Sequence, residues 1–290
     1  MPAKTPLSES ADDQPDYMTA ASATAVAYQN PTLSPVQKAS GPLHGSEGFL
    51  EIDLEAGLSG EEKKKQTSKQ FYWYDHEVAL RNGFLRKVYG ILLAQIMLTT
   101  GIVVLCMFEG ALQQWLLQHL RAVYWSSFLV SLALIFLLFK VQHSHPANLL
   151  VLFAFTISES FFLGLVCALY KEQNMGPAVL YAFIATCTVF VLLSVLTLQS
   201  KWDVTGCGSV LFVGLNLMIL WGIVNILMGF RLTFLYGLLG SLLFCGFIIY
   251  DTKMIQERYG YDDYVVAAIE LYLDFVNLFV HILAALGSDR

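Results

Sequence analysis

The sequence predicts an all-α membrane protein, a bundle of seven transmembrane helices that follows a polar amino-terminal tail. Three observations lead to this fold class. Of the 290 residues, 56% are hydrophobic and only 14% are charged, whereas soluble domains carry about 25% charged residues. The polar and charged residues are concentrated in residues 1–70, and almost every residue after Val88 is apolar. The apolar residues form runs of about 20, the helix length that crosses the hydrocarbon core of a bilayer.

Residues 1–70 form the first segment, which is rich in Ser, Pro, Asp, Glu and Lys and includes a run of charged residues at 61–65. Such a segment buries too little apolar surface to offset the entropy lost on ordering, so we expect a disordered cytosolic tail. The amino terminus also lacks the apolar stretch of a cleavable signal peptide. We therefore expect the first membrane span to act as the targeting signal.

Seven apolar runs follow the tail, and each is close to membrane-spanning length. Residues 113–119, between the first two runs, are typical of a short amphipathic helix at the membrane interface. Glycines within the later runs, Gly237, Gly240 and Gly246 among them, favour close helix packing. Residues 71–290 are therefore predicted to form one domain. Its predicted spans are 88–108, 123–141, 147–170, 177–199, 207–229, 232–254 and 264–286.

The basic residues near the span ends predict the orientation of the chain. With a cytosolic amino terminus, eight Lys and Arg residues lie on the cytosolic side and four on the opposite side. We therefore expect the amino terminus to be cytosolic. Seven complete spans would put Arg290 across the membrane, but the last run is polar enough that it could instead enter the membrane and return. The sequence leaves the side of the carboxyl terminus open.

Two carboxylates, Asp251 and Asp274, lie inside the last two apolar runs. An ionisable side chain within a spanning helix costs about 2.5–3.5 kcal/mol on insertion scales, so it is rarely kept without a function. Two facing acids would tend to share one proton. Straight helices of the predicted lengths offset the two by about 10 Å along the membrane normal, so contact would require a tilt, a helix break or a bridging water. The pair predicts ion movement, proton sensing or acid–base chemistry.

A stripe of polar residues surrounds the second acid, and its members are Glu270, Asp274, Asn277 and His281. Their spacing of four, three and four residues puts them on one face of a helix. Such a face must contact protein or water rather than lipid. We interpret it as the lining of an ion pathway, the alternative being a row of interhelical hydrogen bonds. Glu159, near the middle of the third run, either lines the same cavity or bonds a neighbouring helix.

Other classes of site are disfavoured. The sequence contains no basic stripe, so nucleic acid is not expected as a partner. The five cysteines lie in apolar runs without paired spacing, which is typical of buried reduced thiols rather than of disulfides or a metal site. No cofactor is expected.

Several segments occur together in an order that resembles a known family. They are HPANLL (145–150), FTISESFFLG (155–164), TLQSKWD (197–203), LLFCGFIIYDT (242–252), Asp262-Asp263-Tyr264 and LYLDFVNLF (271–279). Between Tyr72 and Gly287 the chain resembles the transmembrane Bax inhibitor motif family. Within that family it is most similar to the Lifeguard branch nearest the Golgi anti-apoptotic proteins.

The resemblance implies a seven-helix fold with a central carboxyl-terminal helix. It implies a pH-sensitive calcium leak from Golgi or endoplasmic reticulum stores and inhibition of apoptosis. In relatives, acids at the positions of Asp251 and Asp274 form a proton-sharing pair that gates the pore, where calcium would bind transiently. The Golgi branch also uses an acid at the position of Asp262. Relatives have an Arg latch at the cytosolic end of the second span. Here the candidate replacements are Lys140, His143 and His145.

Three functions remain in competition. The leading hypothesis is a cation leak channel in the lipid bilayer, with Ca²⁺ as permeant ion rather than cofactor, because carboxylate oxygens attract Ca²⁺ and protonation cancels that attraction. The second is a non-conducting scaffold that binds death regulators or other calcium channels through the tail. The third is an intramembrane aspartyl protease. Tyr250 and Asp251 fit part of the protease pattern, but no Pro follows Asp274, so the protein is not expected to be an enzyme.

Overall fold

The computed structural model describes residues 60–228 and 233–288. Over these residues the chain forms eight α-helices and one 3₁₀ turn (Thr205–Cys207), with no β-strand. The helices are α1 (Gly60–Phe108), α2 (Gly110–Gln118), α3 (Leu120–Val141), α4 (Ala147–Glu172), α5 (Gly176–Gln199), α6 (Gly208–Met228), α7 (Thr233–Glu257) and α8 (Tyr264–Gly287).

Six of the described helices are long and apolar enough to cross a membrane, namely α1 from residue 71 onward, α3, α4, α5, α7 and α8. Helix α6 (Gly208–Met228) coincides with the predicted span 207–229 and is apolar at least over Gly208–Val224. The all-α membrane class is therefore confirmed. The predicted count of seven spans is confirmed for six, and α2 forms the short helix expected near 113–119.

Helix α1 is much longer than a membrane crossing. Its 49 residues correspond to about 73 Å at 1.5 Å per residue, against a hydrocarbon core of about 30 Å. Residues 1–59 of the predicted disordered tail lie outside the described residues, whereas residues 60–70 belong to this helix. Residues 60–70 are rich in Glu, Lys and Gln, which have high helix propensity. This composition explains why the helix begins so early.

Helix α8 is the centre of the bundle. Within its most apolar stretch 67% of the residues are buried, compared with 22–44% for the other spans. It packs against α7, α5, α1 and α4, and the side chains of Leu271, Tyr272, Leu278 and Leu283 are fully buried. The helix is continuous from Tyr264 to Gly287, so the chain does not turn back within this run.

The glycines of α7 bring that helix unusually close to its neighbours. A Cβ atom on Gly237 would lie 2.6 Å from the backbone nitrogen of Ala285, and one on Gly240 would overlap the imidazole ring of His281. Both contacts are with α8. Gly246 faces α6 instead, where its Cβ would lie 2.8 Å from Leu211. The close packing that the small residues predict is thus formed mainly between α7 and α8, the two helices that carry the acids.

Candidate functional site

The structure brings the carboxyl groups of Asp251, on α7, and Asp274, on α8, close enough together to interact. Asp274 is only 5% exposed, and its Oδ2 has no hydrogen-bond donor among the described residues. An ionised carboxylate accepts hydrogen bonds but cannot donate one. A bond between the two carboxyl groups therefore requires one shared proton, which is the state expected for two acids this close.

The contact differs from the offset of about 10 Å estimated from straight helices. Helix α7 ends at Glu257 rather than at residue 254, which places Asp251 about 4.5 Å deeper at 1.5 Å per residue. The sequence did not give this depth of Asp251, because a continuous apolar pattern does not specify the residue at which the helix ends.

A third carboxylate, Glu270, lies one turn before Asp274 and interacts electrostatically with both aspartates. We call Asp251, Glu270 and Asp274 the acidic cluster. The hydroxyl of Tyr259, in the loop between α7 and α8, donates to Glu270. Burial and the Glu270 carboxylate raise the pKa of Tyr259, so Tyr259 remains a proton donor throughout the physiological range. The loop therefore provides a fixed hydrogen bond to one edge of the cluster.

The loop is itself held by the beginning of the membrane-spanning part of α1. Nη1 of Arg81 donates to the carbonyl oxygen of Tyr259 at 2.7 Å, and its guanidinium lies 4.8 Å from the centroid of the Tyr261 ring. Six residues later, Nζ of Lys87 lies 3.1 Å from the centroid of the ring of Tyr264, the first residue of α8. Two cations of α1 thus hold the loop and the first residue of α8, and neither forms an ion pair with the acidic cluster over the described residues.

The other two residues of the predicted stripe have different environments. Asn277 donates to the carbonyl oxygen of Leu273 in its own helix at 2.8 Å. His281 is buried between the rings of Tyr236 and Phe244, with centroid distances of 5.1 and 5.4 Å, and its Nδ1 has no partner among the described residues. The stripe therefore does not form one continuous set of contacts, because only Glu270 and Asp274 join the acidic cluster.

The remaining predicted residues lie apart from the acidic cluster. Glu159 is half-buried beside the Ser131 hydroxyl of α3. Asp262 is exposed, and its neighbour Asp263 makes the local contacts, accepting from the backbone N–H of Gly260 at 3.1 Å.

The proposed latch is not formed by any of its three candidates. Lys140, His143 and His145 are exposed, and over the described residues no ion pair or hydrogen bond joins them to Asp251. His143 lies 3.9 Å from Asp263 instead, a separation at which an exposed pair contributes little.

A buried polar network between α1, α4 and α8 was not predicted from the sequence. Gln95 donates to the Thr156 hydroxyl at 3.0 Å. One turn along each helix, Ser160 donates to Thr99 at 3.0 Å, and Thr99 shares a 2.8 Å hydrogen bond with Tyr272. Tyr272 lies two residues before Asp274, so this network fixes the part of α8 that carries the acid. Ser and Thr are common in spans, and only Gln95 stands out as a signal in the sequence.

Lys253 is a second residue that the sequence did not identify as unusual. It lies at the end of a predicted span, where a solvent-exposed charge is expected, but it is only 2% exposed. Its Nζ donates to the carbonyl oxygen of Ser200 at 2.8 Å and pairs with Glu257 at 2.8 Å. These contacts join the carboxyl-terminal ends of α5 and α7, two residues beyond Asp251. Lys253 is therefore a positioning residue for this part of α7.

Comparisons with known proteins agree with the motifs and the fold. A family model described as inhibitor of apoptosis-promoting Bax1 matches residues 81–290. Protein lifeguard 4 of Mus musculus is 43% identical over 212 residues, which are 73% of this chain and 87% of the relative. Golgi anti-apoptotic protein of vaccinia virus (strain Lister) is 39% identical, covering 72% and 86% of the two chains. Bax inhibitor 1 of Schizosaccharomyces pombe is 34% identical, covering 72% and 77%.

Proposed function

This chain belongs to the family of inhibitors of apoptosis-promoting Bax1, and from that premise we propose that it is a pH-sensitive calcium leak channel of endomembranes. In this proposal it lowers the calcium content of Golgi or endoplasmic reticulum stores and thereby inhibits apoptosis. The observation that carries the proposal is the close approach of Asp251 and Asp274 inside a bundle of membrane-length helices.

The chemistry of the acidic cluster supports a passing cation. Ca²⁺ prefers hard oxygen ligands such as carboxylates, and a buried acid attracts it only while ionised. Over the described residues no set of three or more His, Cys, Asp or Glu side chains is arranged to hold a metal ion. A site with few ligands suits conduction, because a permeant ion must be able to leave as well as enter. Protonation of the pair removes its negative charge and is the proposed gate.

A non-conducting scaffold is the second candidate, and one aromatic turn of α1 favours it. Phe71, Tyr72, Trp73 and Tyr74 are between 53% and 67% exposed, and they precede the part of the chain that the family model matches. Exposed aromatic residues are frequent anchors of protein interfaces. A scaffold would bind death regulators or other calcium channels through this end of the chain, and it would not require the acidic cluster.

We also propose that the protein is not an enzyme. An aspartyl protease would use Tyr250 beside the catalytic acids. Here the Tyr250 ring lies against Gly208 of α6, where an added Cβ would be 2.6 Å from its hydroxyl oxygen.

Calcium release from liposomes tests the proposed function. The purified chain is reconstituted into Ca²⁺-loaded liposomes, and flux is compared between wild type, Asp274→Asn and Glu109→Gln. Asp274→Asn keeps the side-chain size but removes the charge, so flux should fall at least tenfold while the melting temperature in detergent is retained. Glu109 is exposed between α1 and α2 and serves as the matched control. Wild-type flux through Asp274→Asn would refute the pore role, and absence of flux through wild type would favour the scaffold.

A further inference from the structure

A groove in the side of the bundle has no role in the proposed leak. It is a cavity of about 600 Å³ that lies between α1 and α5, with α8 as its floor. Helices α1 and α5 make little direct contact with each other, so the groove opens sideways between them. The exposed side chains of Val104 and Leu180 form its two edges. Its volume is within the range of about 300–1,000 Å³ that is typical of small-molecule sites.

The groove begins beside Tyr272 and Phe275, which flank Asp274 on α8, and extends from there away from the rest of the acidic cluster. Thr252, next to Asp251, contacts Tyr89 of α1, whereas the groove follows α1 from Ile96 to Phe108. The groove is therefore a separate feature, and an experiment on it does not depend on whether the acidic cluster conducts.

The walls of the groove offer no free hydroxyl group. Thr99 and Tyr272 share a hydrogen bond of 2.8 Å, and the Thr100 hydroxyl donates to the carbonyl oxygen of Ile96 at 2.8 Å. The other lining side chains of α1, α5 and α8 are apolar. Water gains few hydrogen bonds in such a space, so the groove favours an apolar occupant.

One charged residue lies at the mouth of the groove. Lys171 is in the last turn of α4, and its Nζ donates to the carbonyl oxygen of Met107 and, at 3.4 Å, to Oε1 of Gln113. Nζ also lies 4.6 Å from the centroid of the Phe108 ring. Across the described ranges no Asp or Glu pairs with it. A lysine ammonium has three N–H donors, so one remains available for an anion.

We propose that the groove binds one acyl chain of an anionic glycerophospholipid, whose phosphate oxygen accepts a hydrogen bond from Nζ of Lys171. The sideways opening lets the second acyl chain stay in the bilayer while the first is enclosed against α8. Lys171 stands at the end of a spanning helix, the level at which lipid headgroups lie. The unpaired positive charge selects a headgroup with net negative charge over a zwitterionic one.

Native mass spectrometry of the purified full chain tests the charge selection. Phosphatidylglycerol and phosphatidylcholine are added separately, and the retained lipid is measured for wild type and three variants. Wild type should retain phosphatidylglycerol more tightly than phosphatidylcholine. Lys171→Gln should weaken the binding of phosphatidylglycerol about tenfold, which corresponds to about 1.4 kcal/mol, and should leave the binding of phosphatidylcholine unchanged. Lys171→Arg should keep the preference. Arg121→Gln should keep it too, because Arg121 is exposed and lies outside the groove.

A second pair of variants tests whether the acyl chain of the lipid lies in the groove. Thr100→Phe fills the wall of the groove and should reduce retention of phosphatidylglycerol. Leu105→Phe adds similar bulk on the outer face of α1, where Leu105 is 60% exposed. This variant should retain phosphatidylglycerol as wild type does. Equal retention of the two lipids by wild type would overturn the proposal. Unchanged retention by Thr100→Phe would overturn it as well, as would binding of oleate in the absence of any phospholipid binding.

Discussion

Replacing Gly237 with Ala is expected to destabilise the protein by about 2–3 kcal/mol, because the added methyl group meets the backbone of α8. Its Cβ would lie 2.6 Å from the nitrogen of Ala285 and 2.7 Å from the carbonyl oxygen of His281. Ordinary contacts begin near 3.4 Å, so the two helices must separate locally by about 0.8 Å. Overpacking a well-packed core costs about 1–3 kcal/mol, and backbone cannot move aside as a flexible side chain can.

The assay is thermal unfolding of the purified protein in detergent, with Gly101→Ala as the matched control. A Cβ on Gly101 has no atom within 4 Å, and exchanging Gly for Ala within a helix stabilises by about 0.5–1 kcal/mol. Gly101→Ala should therefore melt at or above the wild-type temperature, and Gly237→Ala several degrees below it. Separation of α7 from α8 should also reduce calcium flux in liposomes. Equal melting temperatures for the two variants would refute the close approach of α7 and α8.

Three further predictions concern other contacts of the bundle. Tyr259→Phe removes the donor to Glu270 and should cost about 1 kcal/mol of stability. Because the pKa of Tyr259 is raised above 10.0, this contribution is present in full below pH 10.0 and is lost only above it. If the difference in unfolding free energy between wild type and Tyr259→Phe became smaller between pH 7 and 9, the hydrogen bond from Tyr259 to Glu270 would be contradicted. Gly240→Ala should destabilise the protein, because the added methyl group presses on the His281 ring. Adding His281→Ala should recover part of the lost stability, and a double-mutant cycle measures this coupling. A tag at Met1 should bind antibody in cells whose plasma membrane alone is permeabilised, and labelling only after the organelle membrane is opened would invert the predicted topology.

Most of the helix boundaries follow directly from the hydrophobic pattern. The predicted spans from 123–141 onward differ from the observed helices by at most three residues at either end. The exception is α1, which begins at Gly60 rather than near Val88. Hydropathy locates the part of a helix that enters lipid, whereas a helix continues into water wherever Glu, Lys and Gln favour it.

The candidate site was predicted less completely than the fold. Asp251, Asp274 and Glu270 were identified because a carboxylate in an apolar run is costly. Their mutual contact depends on where α7 ends and how closely it packs, which no local pattern specifies. Helical periodicity gives the face of a residue but not the neighbour that it meets, so the polar stripe did not predict that His281 lies between two aromatic rings.

The hydrogen bonds between helices were the least predictable part. The network through Thr99 and Tyr272 uses residues that are common in membrane helices, so their sequence carries little signal. Lys253 looked like an ordinary charge at a span end, yet it is buried against the carboxyl end of α5. Such pairings are set by the arrangement of helices, and a single sequence contains no direct record of that arrangement.

The pH dependence of calcium flux through Asp251→Asn, measured beside wild type in the same liposomes, tests the central claim most directly. Protonation of the shared site removes the charge that attracts Ca²⁺, so wild-type flux should fall as the pH is lowered from about 8 to about 6. The amide of Asp251→Asn does not titrate, so its flux should change much less over this range. A pH profile of Asp251→Asn that coincides with the wild-type profile would contradict proton sharing between Asp251 and Asp274 as the gate.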